Sequence, residues 1–210
     1  MTIREIYIHR CIELAKLGSY AITGMDLSRT FVKMAAEKSE QAGVRVEFKE
    51  GSASNMPFPK NSFDFLLCRA AFKNFADPVG ALQEMCRVLR PGGALVLNVA
   101  ALPALRGNHS ILGGEVQRYT RSGLRRHLEQ AGFSVERLTY TNFAILPVVA
   151  AVRFSQRLRQ GRHELSDSEM TVPAPPVNLA LAGLLTLESY ALRVVNMPLG
   201  SSLLTLAIKR

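Results

Sequence analysis

The stretch DPVGALQEMCRVLRPGGALVLNVA, residues 77–100, constrains this chain more than any other. Asp77 stands where a helix N-cap accepts from orphan backbone amides. Pro78 suits the first helical turn, where a missing N–H is no loss. Val79, Leu82, Met85 and Leu89 recur at helical spacing and predict one buried stripe. Pro91, Gly92 and Gly93 then stop the helix. ALVLNVA follows as an apolar run without polar alternation, the pattern of a strand covered on both faces. A helix turning sharply into such a strand is half of a crossover unit, and crossover units build parallel sheets.

The same alternation runs upstream. IREIYIHRCIELAKLG carries apolar residues at Ile6, Ile8, Cys11, Ile12, Leu14 and Ala15, which is helical spacing, and Gly18 stops it. YAITGM reads as a short buried strand ending on Asp26. Ser28 caps a helix over Arg29–Gln41, which Gly43 closes. VRVEF alternates as a strand, GSASNMPFPKNS is a loop and FDFLLC is a strand. Beyond Ala101 the texture changes. LPALRGNHSILGGEVQRY reads as loop, and TRSGLRRHLEQAGF as a basic amphipathic helix capped by Thr120. SVERLTYTN is a strand candidate. RFSQRLRQGRHELSDSEMTVPAPP is polar, then proline-rich, and reads as an exposed excursion. VNLALAGLLTLESYALRVV is helical, and SSLLTLAIK is a closing strand. Two domains are expected: a core over 1–142, and a C-terminal helical extension with its closing strand over 143–210.

Composition narrows the partners. The 210 residues, 48% hydrophobic, suffice for one sizeable core. A net charge of +9 permits contact with anionic lipid, nucleic acid or phosphorylated substrate, and equally describes solvated basic faces. Cys11, Cys68 and Cys86 form no CxxC pair, so neither a disulfide framework nor a metal site is expected, and a reducing cytoplasm fits. The first ten residues carry charge throughout, unlike a secretory leader. FAILPVVAAV and VNLALAGLLTL both fall short of the ~20 apolar residues of a membrane span.

In open parallel sheets, ligands bind beyond the carboxyl ends of the strands. Asp26 is the sharpest residue in such a position. A carboxylate there accepts from both hydroxyls of a ribose through charge-assisted bonds, or simply complements a helix dipole. An acid at this place also occurs in dinucleotide dehydrogenases, so by itself it does not choose the cofactor.

The segment GSASNMPFPKNSFDFLLCRAAFKNFADPVGALQEMCRVLRPGGALVLNV chooses. With Asp26 ahead of it, it resembles the class I S-adenosylmethionine-dependent methyltransferases, most closely the small-molecule enzymes of the type 11 group. In that group a ribose acid is followed by a GDAxxLPFPDxSFD loop and then by an LRPGG turn. Asp26, Gly51 to Asp64 and Leu89 to Gly93 match that order and spacing, over residues 18 to 100. The resemblance implies an α/β, Rossmann-like doubly wound sheet, mostly parallel, with an antiparallel C-terminal strand. It implies S-adenosylmethionine as cofactor. Asp26 would bind the ribose hydroxyls and Leu27 would pack on the adenine. Ser52 stands where the family usually has an acid accepting from the exocyclic amine, and the Ala53 N–H would serve a ring nitrogen. Arg69 would border the methionine end, beside Cys68.

HSILGGEVQRYTRSGLRRHLEQAGF is similar to HDxxxGHxRRYTxxxLxxLLxxAGF of one bacterial branch. His109, Gly114, Arg118, Tyr119 and Thr120 match, while Ser110 and Glu115 replace an acid and a histidine. The resemblance implies substrate contact for His109, Arg118 and Tyr119. His109 stands as a base or as a polar loop residue. Arg118 and Tyr119 serve the substrate or fasten the loop. No catalytic residue is assigned, because the methyl group is already activated on a sulfonium and the protein supplies positioning and desolvation.

The family's glycine-rich DxGxGxG turn should lie roughly 20 residues ahead of the ribose acid. That position falls near Ile6–Tyr7–Ile8, so the first strand and its turn are expected to be missing. Two readings follow. One is a methyltransferase acting on a small-molecule or lipid-like acceptor, cytoplasmic and peripheral to a membrane, with no nucleic-acid partner. The other is a truncated or degenerate methyltransferase-like module that binds or supports. A nicotinamide oxidoreductase is disfavoured, since no GxGxxG is present. FAILPVVAAVRFSQRLRQGR combines apolar and basic residues as an interfacial helix does, or is ordinary core with solvated arginines.

Overall fold

A computed structural model of the chain describes residues 5–69, 71–106, 115–159 and 174–210. The chain divides into two compact units after Pro57.

The first unit contains α1 (Glu5–Lys16), β1 (Thr23–Asp26), α2 (Arg29–Gln41) and β2 (Glu47–Glu50). β1 and β2 pair in parallel, Thr23 opposite Glu47 and Asp26 opposite Glu50. The crossover helix α2 begins where Ser28 Oγ accepts from the Phe31 N–H at 3.4 Å. Ile12 of α1 and Ala35 of α2 are buried among Phe31, Met34, Ala42, Val44 and Phe48. Ile12 and the apolar stripe of α2 thus pack against Phe48 of the small sheet. Thr23, Gly24 and Met25 are half-buried and Asp26 is exposed, so β1 is less covered than its apolar run suggests.

The second unit holds β3 (Phe63–Arg69), α3 (Pro78–Val88), β4 (Leu89–Ala100), α4 (Arg121–Gln130), β5 (Phe133–Thr141), α5 (Leu146–Arg159), α6 (Pro175–Ala191) and β6 (Ser202–Lys209). Its sheet has the order β3-β4-β6-β5. β3 and β4 are parallel, and β6 runs antiparallel to both of its neighbours. This is the expected α/β class with an antiparallel C-terminal strand, but its strands lie in two sheets, of two and four strands. Asp77 Oδ1 caps α3 through the Gly80 N–H at 2.9 Å, and Thr120 Oγ1 caps α4 through the Gly123 N–H at 3.1 Å. Leu82 of α3 and Leu124 and Leu128 of α4 are fully buried, as are Leu95, Leu97 and Leu203 in the sheet. Along β4 these residues alternate with half-covered Val96 and Asn98, so one sheet face is the core. The opposite face leaves Phe65 and Leu67 of β3 and Leu206 of β6 exposed, while residues 94–100 of β4 are all buried or half-covered, as its apolar run predicts.

The LRPGG turn is a second difference. α3 ends at Val88, and β4 already begins at Leu89 and carries Pro91, Gly92 and Gly93 within it. A register shift between Phe63 and Phe65 takes up the irregularity. Lys209 Nζ pins the start of the strand by donating to the Leu89 carbonyl at 2.7 Å and to Asn61 Oδ1 at 2.9 Å. Further on, α5 continues through Arg159, so the polar excursion starts later than the sequence implies. Residues 160–173 lie outside the described residues.

Gly200, in the turn entering β6, is buried, and a Cβ there would sit 2.2 Å from the Thr141 carbonyl oxygen. Backbone cannot yield as a flexible side chain can. Gly200→Ala is therefore expected to cost about 1–3 kcal/mol, typical of overpacking, measured by urea unfolding.

Candidate functional site

Two strand ends collect the residues singled out by sequence. At the first, Asp26 closes β1 with its side chain exposed. Asp26 Oδ1 accepts from the Ser28 N–H at 2.8 Å, which holds the carboxylate over the entry to α2. The Gly51 N–H donates to the Asp26 carbonyl at 3.0 Å and draws the loop after β2 alongside. That approach requires glycine: a Cβ at Gly51 would lie 2.9 Å from Met25 Sδ and 2.9 Å from Pro57 Cδ. Ser52 Oγ accepts from the Ser54 N–H at 3.3 Å, and the Ser52 carbonyl from the Asn55 N–H at 3.1 Å. The loop is a closed turn with Ser52 and Ala53 half-buried. Leu27 projects its side chain into solvent. Asp26, Leu27, Ser52 and Ala53 thus share one end of β1–β2.

A further carboxylate joins them. Glu50 ends β2, is exposed, and stands in register with Asp26. Sequence reading passed over it, although the alternation of VRVEFKE leads to it as the last strand residue. Side by side, two carboxylates offer chiefly acceptors. This strand end suits a ligand that presents several donors, such as a vicinal diol.

The second strand end belongs to β3 and β4. Arg69 closes β3, exposed, in register with Asn98. Burial pushes the neighbouring Cys68 thiol up to about 12, which leaves it protonated and unreactive at neutral pH. Past β4, Glu115 is buried, its side chain only 3% exposed, and meets Arg118 in a fork. Arg118 Nε donates to Glu115 Oε1 at 2.6 Å and Arg118 Nη2 to Glu115 Oε2 at 3.3 Å. Arg118 Nη1 donates to the Ala101 carbonyl at 3.1 Å, at the end of β4. Lys73 Nζ lies 3.7 Å from Glu115 Oε2, and the Lys73 carbonyl accepts from the Val116 N–H at 3.0 Å. Arg106 Nη2 donates to the Glu115 carbonyl at 3.1 Å.

Tyr119 is buried beside Phe72, ring centroids 5.3 Å apart, and bridges to Ala101. Burial, against a hydrogen bond from Gln117 that lowers it, pushes the phenol up to about 12. Arg118 and Tyr119 thus come together as ties between the loop and the sheet end. Glu115 and Lys73 complete that knot. The E-x-x-R spacing of 115–118 was the available signal for Glu115, whereas nothing local marks Lys73. His109 lies outside the described residues, as does Gly114.

Residues 9–97 match the family model described as a methyltransferase domain. A demethylmenaquinone methyltransferase from Deinococcus radiodurans is 32% identical over 138 residues, 66% of this chain and 56% of the relative. Its counterpart from Listeria welshimeri is 38% identical over 87 residues, 41% of this chain and 37% of the relative. The chain therefore spans about a third to just over half of the length of these relatives. Among solved structures, the [4+2]-cyclase SpnF aligns with a TM-score of 0.59 at 22% identity, over 94% of this chain and 69% of that one. A SAM-dependent methyltransferase from Aquifex aeolicus aligns with a TM-score of 0.50 at 22% identity, over 61% and 68%. At such identities these neighbours speak for the fold alone, and a cyclase among them illustrates that one fold hosts several chemistries.

Proposed function

Because the chain belongs, through residues 9–97, to the class I methyltransferase-domain family, we propose that it transfers a methyl group from S-adenosylmethionine to a lipid-like acceptor of the quinone class. The observation that carries this reading is the strand end of β1–β2, where Asp26 lies beside the Gly51–Ala53 turn. The fit to the adenosine half of the cofactor rests on three features of that end. Asp26 is exposed and oriented by the Ser28 N–H, so its carboxylate accepts from a ribose diol without first being desolvated. Leu27 offers an exposed apolar surface to a purine. Ser52 and the Ala53 N–H supply an acceptor and a donor for the purine edge.

When bound, the cofactor supplies a methyl group already activated on a sulfonium. The chain's own task is then to bind, orient and exclude water. The Glu115–Arg118 fork and Tyr119 hold the segment that follows β4, on which an acceptor would rest. The quinone class comes from the relatives named demethylmenaquinone methyltransferase.

The test is transfer of labelled methyl from S-adenosylmethionine to a demethylated naphthoquinone bearing an isoprenoid tail, followed by extraction of the label into organic solvent. Label in the quinone fraction above a boiled-protein control is the expected result. Cofactor binding without transfer to any quinone would remove the acceptor assignment. Neither binding nor a thermal shift at millimolar cofactor would remove the activity.

A further inference from the structure

Among the described residues, three that are not glycine adopt a positive φ: Asn61, Leu102 and Asn142. Asparagine tolerates the left-handed region, because its short amide can hydrogen-bond locally. Leucine has no such compensation, and Leu102 combines a φ of 56° with a ψ of 91°. That ψ lies beyond even the left-handed helical range of about 30–60°. Pro103 follows, and the residue before a proline is normally held in extended backbone. The conformation is strained, and such strain persists only where the surroundings over-determine it.

The surroundings do so on both sides. Upstream, Ala101 is fully buried, its N–H donates to the Ser201 carbonyl at 2.9 Å, and its carbonyl accepts from Arg118 Nη1. The Tyr119 N–H donates to the Ala100 carbonyl at 2.9 Å, and the Leu102 N–H to the Tyr119 carbonyl at 3.2 Å. Downstream, the Leu102 carbonyl accepts from the Leu105 N–H at 2.8 Å and the Pro103 carbonyl from the Arg106 N–H at 3.1 Å. These bonds close a single 3₁₀ turn, Pro103–Leu105, in which Leu105 is buried. Arg106 then reaches the Glu115 carbonyl. An extended residue at 102 would continue the line of β4. The positive φ instead turns the chain at the carboxyl end of that strand, where ligands of open α/β sheets bind.

We propose that Leu102 is a positioning residue: its left-handed backbone fixes residues 102–106 at the end of β4 as the surface against which the acceptor is held. This rests on the methyltransferase reading. What matters at 102 is the backbone conformation, so variants that tolerate a positive φ keep the role and variants that resist it lose the role.

Leu102→Gly and Leu102→Ala both remove the side chain, but only glycine enters this region freely. The glycine variant should melt about 2–4 °C above the alanine variant, the reverse of their usual order. Leu102→Ile keeps the volume and adds a branch at Cβ, which resists a positive φ. Hydrogen exchange at the Leu105 and Arg106 amides should be about tenfold faster in Leu102→Ile and near wild type in Leu102→Gly. With a demethylated naphthoquinone bearing an isoprenoid tail, Leu102→Ile should raise the acceptor KM about fivefold or more and leave kcat and cofactor affinity within about twofold. Leu102→Gly should keep the wild-type KM. An alanine variant as stable as the glycine one overturns the proposal. So do unchanged exchange and KM in Leu102→Ile, or an equal loss in Leu102→Gly, which would assign the effect to the side chain. Melting and exchange need neither cofactor nor acceptor. If both behave as stated and the wild type methylates no quinone, the acceptor assignment fails and takes this role of Leu102 with it.

Discussion

Replacing Asp26 with alanine should weaken S-adenosylmethionine binding about ten- to hundredfold while leaving the first unit folded. A hydrogen bond to a charged acceptor contributes about 1.5–3 kcal/mol net, and a tenfold change in affinity corresponds to about 1.4 kcal/mol. Among the described residues the carboxylate accepts one bond, from the Ser28 N–H at 2.8 Å, so removing it should cost the fold no more than a typical cap, about 1 kcal/mol. Asp26→Asn separates the two roles. The amide oxygen still accepts from Ser28 and keeps the turn, but it has no charge with which to hold a diol. Isothermal titration should therefore rank wild type above asparagine and asparagine above alanine. Urea unfolding should leave all three within about 1 kcal/mol of one another. Equal affinities across the series would remove Asp26 from the cofactor site.

The second large effect concerns stability. Glu115→Ala should destabilise the second unit by about 3–5 kcal/mol, because it strands Arg118 and Lys73 around a buried vacancy. For a chain of this size that corresponds to a fall in melting temperature of about 6–20 °C. Exposed pairs such as Lys16–Glu13, at 3.3 Å, contribute at most about 1 kcal/mol, so burial rather than distance sets the scale. A double variant, Glu115→Gln/Arg118→Met, should lose less than the two single changes summed, since no uncompensated charge is then left behind. A loss below about 1 kcal/mol in Glu115→Ala would show that the fork closes no loop of consequence.

Much of this molecule is local and could be read as such. The caps at Ser28, Asp77 and Thr120 each satisfy orphan amides within three residues, so their signatures sit in short words of sequence. The stripe of α3 and the alternation of β4 likewise report burial one residue at a time. Asp26 was legible because it ends an apolar run.

The knot around Glu115 was not legible, because it joins residues from three segments. Lys73 follows β3, Ala101 follows β4, and Arg118 stands before α4. Only the parallel pairing of β3 with β4 brings them within reach. The LRPGG turn was misplaced for a related reason. Proline and glycine stop a helix locally, but the pairing of Phe63 with Leu89 and the grip of Lys209 extend the strand across them.

By itself, then, the sequence determined the order of elements, their caps, the α/β class and the acid at the end of β1. Each of these follows from backbone geometry and burial within a few residues. Tertiary structure alone decided three further matters. It set Glu50 beside Asp26, turned Arg118 inward onto Glu115, and spent Glu188 on the amides before α5. Pairing across a sheet and satisfaction of buried charge depend on contacts between distant segments, which no local pattern encodes.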